Sequence, residues 1–169
     1  MLVRLADAID RMSVRVGEWS AWLYPLLVVV LIANVVLRYG FSRGLIELEE
    51  LQWHLFAAAF LLGLAYTHVR DEHVRVDLLR AKLNPRAKAW IELLGSVCLL
   101  APFAALMTYY TFDFFWLSWE TGERSAMPSG LPGRYGIKGV LVVAMALLTA
   151  QALATAARAA AHLRDGRTE

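Results

Sequence analysis

Four histidines, three clustered glutamates and one cysteine are the residues of this 169-residue chain whose types could carry chemistry. His54 and His68 are 14 residues apart, a spacing that puts two imidazoles on one helix face at two depths. A di-haem b-type cytochrome uses that arrangement, but two axial histidines per haem need two more on a facing helix. Only His73 and His162 remain, outside the apolar runs, so the ligand count fails and His54 reads as a polar packing residue. Glu47, Glu49 and Glu50 precede one apolar run, and Glu92 and Asp113 flank another. None sits at the middle of a run, where a charge costs about 2.5–3.5 kcal/mol on insertion scales. Ion-coupled pumps expose such a residue in their interior, and neither a broken-helix ion site nor an inverted repeat is visible. Cys98 lies inside an apolar run, where a reactive thiolate is disfavoured. GxSxG, P-loop and HExxH motifs are all absent. The expectation is a non-enzyme with no catalytic, cofactor-binding or metal-ligating residue.

The elements that hold these residues follow from composition. The chain is 59% hydrophobic and 19% charged, with a mean hydropathy of +0.49. One core of this size cannot hide so much apolar surface from water. A single cysteine excludes a disulfide framework, and a net charge of +2 is too even for a nucleic-acid footprint, so no nucleic-acid partner is expected. Charges are missing from four runs, 19–37, 51–69, 93–112 and 139–157. Each is long enough to cross a ~30 Å hydrocarbon layer as a helix. The first run starts too late, is too long and lacks a small-x-small site for a cleaved signal peptide, so it is kept as a span. Trp19, Trp22, Trp53, Trp90, Trp116 and Trp119 fall at or near the run ends, as in an aromatic belt. Of the 17 lysines and arginines, 12 lie in the N-terminal segment, the second loop and the tail. The positive-inside rule then places both termini in the cytoplasm. The predicted architecture is a single-domain, all-α membrane protein of four transmembrane helices.

The connections have their own patterns. Residues 1–18 carry Leu2, Leu5, Ile9, Met12 and Val16 at spacings of three and four, against Arg4, Asp7, Arg11, Arg15 and Glu18. This predicts an amphipathic helix flat on the cytoplasmic interface, or one paired with a partner protein. The second loop, 70–88, predicts a short interfacial helix. Asn84-Pro85 then reads as a cap and first-turn proline. The helix it opens runs towards Trp119, on the order of 50 Å, and should tilt, kink at Pro102 or project. Glycines and prolines make 120–136 a shaped periplasmic turn, and 158–169 is a cytoplasmic tail. Asn34, Thr149 and Gln151 are the main intramembrane polar groups, expected to hydrogen-bond between helices. Ala59-x-x-x-Gly63, and Ala146, Ala150 and Ala154, are small-residue stripes suited to close helix approach.

Specific motifs appear at the second run and its loop: Glu49-Glu50-Leu51, then Leu62-Gly63-Leu64-Ala65-Tyr66, then His73-Val74-Arg75-Val76-Asp77-Leu78-Leu79. Ser118-Trp119-Glu120-Thr121-Gly122-Glu123-Arg124-Ser125 follows, with Gly130-Leu131-Pro132 and Arg134-Tyr135. In order and placement these resemble the small membrane subunit of tripartite ATP-independent periplasmic (TRAP) transporters, the DctQ-like family. The resemblance implies that the membrane is a bacterial inner one, and that the chain is a scaffold beside a large DctM-like membrane subunit that holds the transport domain and sodium sites, with none in this chain. It also implies a periplasmic DctP-like binding protein that delivers small organic acids, with keto, hydroxy or chloroaromatic acids hinted at by the third loop. Glu49, Glu50, Trp53, Gly63, His73, Arg75 and Asp77 are the expected contacts with the large subunit or with lipid headgroups. Trp119, Glu120, Glu123, Arg124, Ser125 and Pro132 are expected to shape the surface offered to the binding protein. Two rivals from other classes are a haem-bearing or structural anchor subunit of a respiratory complex and a stand-alone small exporter.

Overall fold

The computed structural model describes residues 2–70 and 83–165. The expected interfacial helix of the second loop, with His73, Arg75 and Asp77, lies outside the described residues. The described chain is helical: α1 (Leu2–Ala21), α2 (Leu23–Gly40), α3 (Ile46–Val69), α4 (Pro85–Gly95), a π-helical turn (Ser96–Leu100), α5 (Ala101–Glu120) and α6 (Tyr135–Asp165). Three helical stretches among these residues are long and apolar enough to cross a membrane: Arg4–Gly40, Pro85–Glu120 and Tyr135–Arg164. Helix α3, which carries Glu50, Gln52, His54 and His68, is not one of them.

Prolines punctuate the long stretches. Pro25 has no N–H, and its ring opposes the carbonyl of Ala21, so α1 gives way to α2 at Trp22, whose N–H reaches Trp19 O at 3.2 Å. Pro102 acts the same way on the carbonyl of Cys98. The ladder widens ahead of it, and Ala101 N–H bonds Ser96 O, five residues back. The irregularity expected at Pro102 is therefore a π turn on its N-terminal side. Asn84 caps α4 as its type predicts, with Oδ1 accepting from Ala87 N–H at 2.7 Å and Pro85 in the first turn.

Helices α2, α3, α6 and α5 stand side by side in that order, with α1 against both α3 and α6 and α4 against α6. Helix α6 is the shared partner, and it buries Ala144, Met145, Leu147, Leu148, Gln151, Ala152, Ala154, Ala156 and Ala159. It continues beyond 157, so residues 158–165 of the expected tail are helical. The predicted Ala146–Ala150–Ala154 stripe is not the contact line: Ala154 is buried, Ala150 half-buried and Ala146 exposed. In α3, Ala59 is buried, whereas Gly63 opens on a cavity of about 270 Å³ beside Ser20, Tyr24 and Phe60.

Neither the apolar nor the charged stripe of α1 is buried: Leu5 and Met12 are exposed, and so are Arg4, Arg11, Arg15 and Glu18. The face turned to the bundle is a third stripe, formed by Ala6, Asp10, Ser13, Gly17 and Ser20. Asp10 accepts from both terminal nitrogens of Arg158, one at 2.7 Å, and from Gln151 Nε2 at 2.7 Å. Ser13 Oγ donates to Gln151 Oε1 at 3.1 Å. A forked, charge-assisted pair with its neighbours satisfied is the strong form of such a tie. Thr149 Oγ1 also lies 3.4 Å from Thr108 Oγ1, as expected of an interhelical polar group, whereas Asn34 is buried on α2 with its Oδ1 unpartnered.

The helix contacts make a paired prediction. A Cβ on Gly17 would stand 2.3 Å from Tyr66 Cβ, whereas one on Gly63 meets nothing within 4 Å. Gly17→Ala should destabilise the chain by about 1–3 kcal/mol, as overpacking does. Gly63→Ala should be neutral or stabilising by up to about 1 kcal/mol through helix propensity. Thermal unfolding in detergent separates the two.

Candidate functional site

The residues that gather most densely are at the end of the bundle where α3 and α6 begin and α5 ends. The loop between α5 and α6 closes on itself first. Arg124 and Pro132 form an isolated antiparallel bridge, Ser125 N–H bonds Leu131 O at 3.2 Å, and Arg134 N–H bonds Glu123 O at 3.1 Å. Gly122 and Gly133 take positive φ at the two ends of this loop, a conformation open to glycine.

Glu50 then pins the loop to α3. Its carboxylate is only 6% exposed. It accepts from Ser125 Oγ, from Leu131 N–H at 2.7 Å and from Arg134 at 3.5 Å. The approach leaves no room at Gly130, where a Cβ would fall 2.2 Å from Ser125 Oγ and 2.9 Å from Glu50 Oε2. Around this centre, Lys138 on α6 pairs with Glu123 and lies over the ring of Phe114 at 3.6 Å. Arg134 stacks over Trp53 at 6.0 Å, and Trp119 meets Tyr135 edge-on at 4.8 Å. Glu50 precedes the apolar run 51–69. The Ser125 hydroxyl holds its carboxyl below the ordinary value of 4.5, against desolvation, with help from Leu131 N–H and Arg134. The Lys138 ammonium does the same for Glu123.

The structure therefore brings together residues from both expected sets. Glu50 and Trp53 join Glu123, Arg124, Ser125 and Pro132. The Glu50 carboxylate is turned inward, with its donors all in this chain. Glu49 is exposed and pairs with Arg38 at the end of α2. Glu120 accepts from Trp116 Nε1 at 2.9 Å. Trp53, Trp119, Arg124 and Pro132 keep surface outside the cluster. Arg134, Lys138 and Gly130 complete the site without having been chosen from sequence. A signal for the two cations was present: they lie four apart at the start of α6, Arg134 just before it and Lys138 in its first turn, where the helix dipole disfavours positive charge. Carboxylates from elsewhere are what offset that placement.

His54 and His68 make polar contacts within the bundle. His54 Nδ1 is 2.6 Å from Glu50 O, and the ring stacks on Trp53 at 3.8 Å. His68 Nε2 is 3.2 Å from Thr155 Oγ1. Among the described residues no group of three or more His, Cys, Asp or Glu is placed to hold a metal ion.

The family described as tripartite ATP-independent periplasmic transporters, DctQ component, matches residues 27–162. The chain belongs to that family. A TRAP transporter small permease protein of Haemophilus influenzae is 30% identical over 108 residues, which are 63% of this chain and 64% of that protein. No solved structure matches the chain. Within the DctQ family frame, the matched region takes in all of α3 to α5, the Glu50-anchored loop and most of α6.

The loop clasp gives a pH prediction with a fixed sign. Both carboxyls are held below their ordinary value, so their contribution to loop docking is complete above 4.5 and is lost as pH falls below it. Proteolytic nicking between 126 and 130 should therefore rise only below pH 4.5. At neutral pH, Glu50→Ala and Gly130→Val should each raise nicking about tenfold, an effect of the size expected when buried donors lose their acceptor.

Proposed function

We propose that this chain is the static small subunit of a TRAP-type importer for small organic acids. It lies in the bacterial inner membrane with four spans and both termini cytoplasmic. Residues 51–69 of α3 are the fourth span: the helix stands between α2 and α6, so protein neighbours shelter its histidines and Gln52 where lipid would not. A large DctM-like membrane subunit binds sodium and moves the substrate, and a periplasmic DctP-like protein delivers it.

Membership of the DctQ component family over residues 27–162 is the observation that carries this reading. The disposition of charge supports the static role. Asp10 and Glu50 hold helices and loop together through Arg158, Gln151, Ser125 and Arg134. Groups fixed in this way brace a structure and are poorly suited to passing an ion along it. The loop clasped by Glu50 supports the role of a preformed periplasmic surface, on which Trp53, Trp119, Arg124, Met127 and Pro132 stay accessible.

Reconstitution tests the reading. Vesicles holding this chain with the large subunit of its own organism should take up a carboxylate when a sodium gradient and the cognate binding protein are supplied. Vesicles holding this chain alone should show none. Uptake by the chain alone, or full uptake by the large subunit without it, overturns the proposal.

A further inference from the structure

Helix α5 has two faces that both repeat at spacings of three and four. Ala101, Ala104, Thr108, Thr111, Phe115 and Ser118 form the inner one. Ala104 is fully buried, Thr108 meets Thr149 of α6, and Phe115 closes to 3.2 Å on the Cβ position of Gly139. Phe103, Leu106, Tyr110, Asp113 and Leu117 form the outer one, and its four bulky apolar members are 52–61% exposed. Lipid tails alone suit those four. They do not suit Asp113, which flanks the uncharged run 93–112 and is exposed between Tyr110 and Leu117 with Phe112 and Phe114 on either side. Among the described residues no cation or hydrogen-bond donor is paired with its carboxylate. Asp113 lies seven residues before the end of α5, about 10 Å in from that end at 1.5 Å per residue. An ionised group in such surroundings pairs with another polar group. One polar residue in an otherwise apolar three-four stripe is also the device by which packed helices fix their register.

The opposite end of the same face offers a second feature. Where the π turn meets Pro102, an open cavity of about 600 Å³ is lined by Cys98, Leu99, Leu100, Pro102, Phe103 and Leu106. The turn and the proline push the helix surface out of its regular ridge and leave a hollow for side chains from outside.

We propose that the outer face of α5 seats a membrane-spanning helix of the large partner subunit. A lysine or arginine of that helix pairs with Asp113, and its apolar side chains fill the hollow beside Pro102. The inference rests on the two-subunit reading above and assigns the face, the register point and the charge of the partner.

The test uses the full chain co-expressed with the large TRAP membrane subunit of its own organism. A benzoylphenylalanine photo-crosslinker is placed at Leu106, Tyr110 or Leu117, and at Val28 or Val35 on the exposed face of α2 as the control. Crosslinks to the large subunit are expected from α5 and not from α2, and the linked peptide from position 110 should carry a lysine or arginine within one helical turn. Asp113→Lys should lower recovery of the large subunit by about tenfold and Asp113→Asn by less, as loss of a desolvated charge partner does, with the chain's own thermal unfolding unchanged in Asp113→Asn. Crosslinks from α2 alone, to lipid alone or to a second copy of this chain overturn the assignment while the two-subunit reading stands. So does undiminished recovery with both Asp113 variants. Failure of the unsubstituted chain to recover the large subunit at all defeats that reading and this inference together.

Discussion

A carboxylate withdrawn from water has to be met by donors, and in this chain that requirement shapes both ends of the bundle. Glu50 at one end draws in Ser125, the Leu131 N–H and Arg134, and so folds a 14-residue connection back onto α3. Asp10 at the other end draws in Arg158 and Gln151 and holds the N-terminal helix against the last one. These ties count for more here than in a water-soluble protein. Helices surrounded by lipid tails gain little from burying apolar faces against one another, so close contact and polar pairing must hold them.

Between those ends the bundle relies on small residues. Helix α6 touches α1, α3, α4 and α5, and alanines make up most of what it buries. The inner stripe of α5 is also largely small or hydroxylated, and Gly17 admits Tyr66 at a distance no larger residue would allow. Bulky side chains are turned outward in compensation. A member of the DctQ family built this way presents broad apolar faces and a clasped loop.

Residue pattern alone conveyed a good part of this. The uncharged runs announced long apolar helices because the cost of a charge in hydrocarbon is visible in composition. Asn84-Pro85 announced a helix start because cap and first-turn proline act within four residues. The motifs around Glu49-Glu50 and Glu123-Arg124-Ser125 announced the family, and the match over residues 27–162 agrees. The face of α1 that meets the bundle was harder to read. Its small and polar residues lie between the apolar and charged stripes, both of which keep exposed members, so the hydrophobic pattern did not mark the buried face.

What the sequence determined by itself is local or compositional: helix existence, the irregularity at Pro102, the glycine-shaped loop and the supply of charges. The tertiary structure alone decided which charge meets which. Glu50 and Ser125 are 75 residues apart, and Asp10 and Arg158 are 148 apart. No periodicity links positions so distant, because their pairing depends on which helices become neighbours. Asp113 and Glu50 look alike as acids beside apolar runs. Only packing shows that one is turned into the chain and the other out of it.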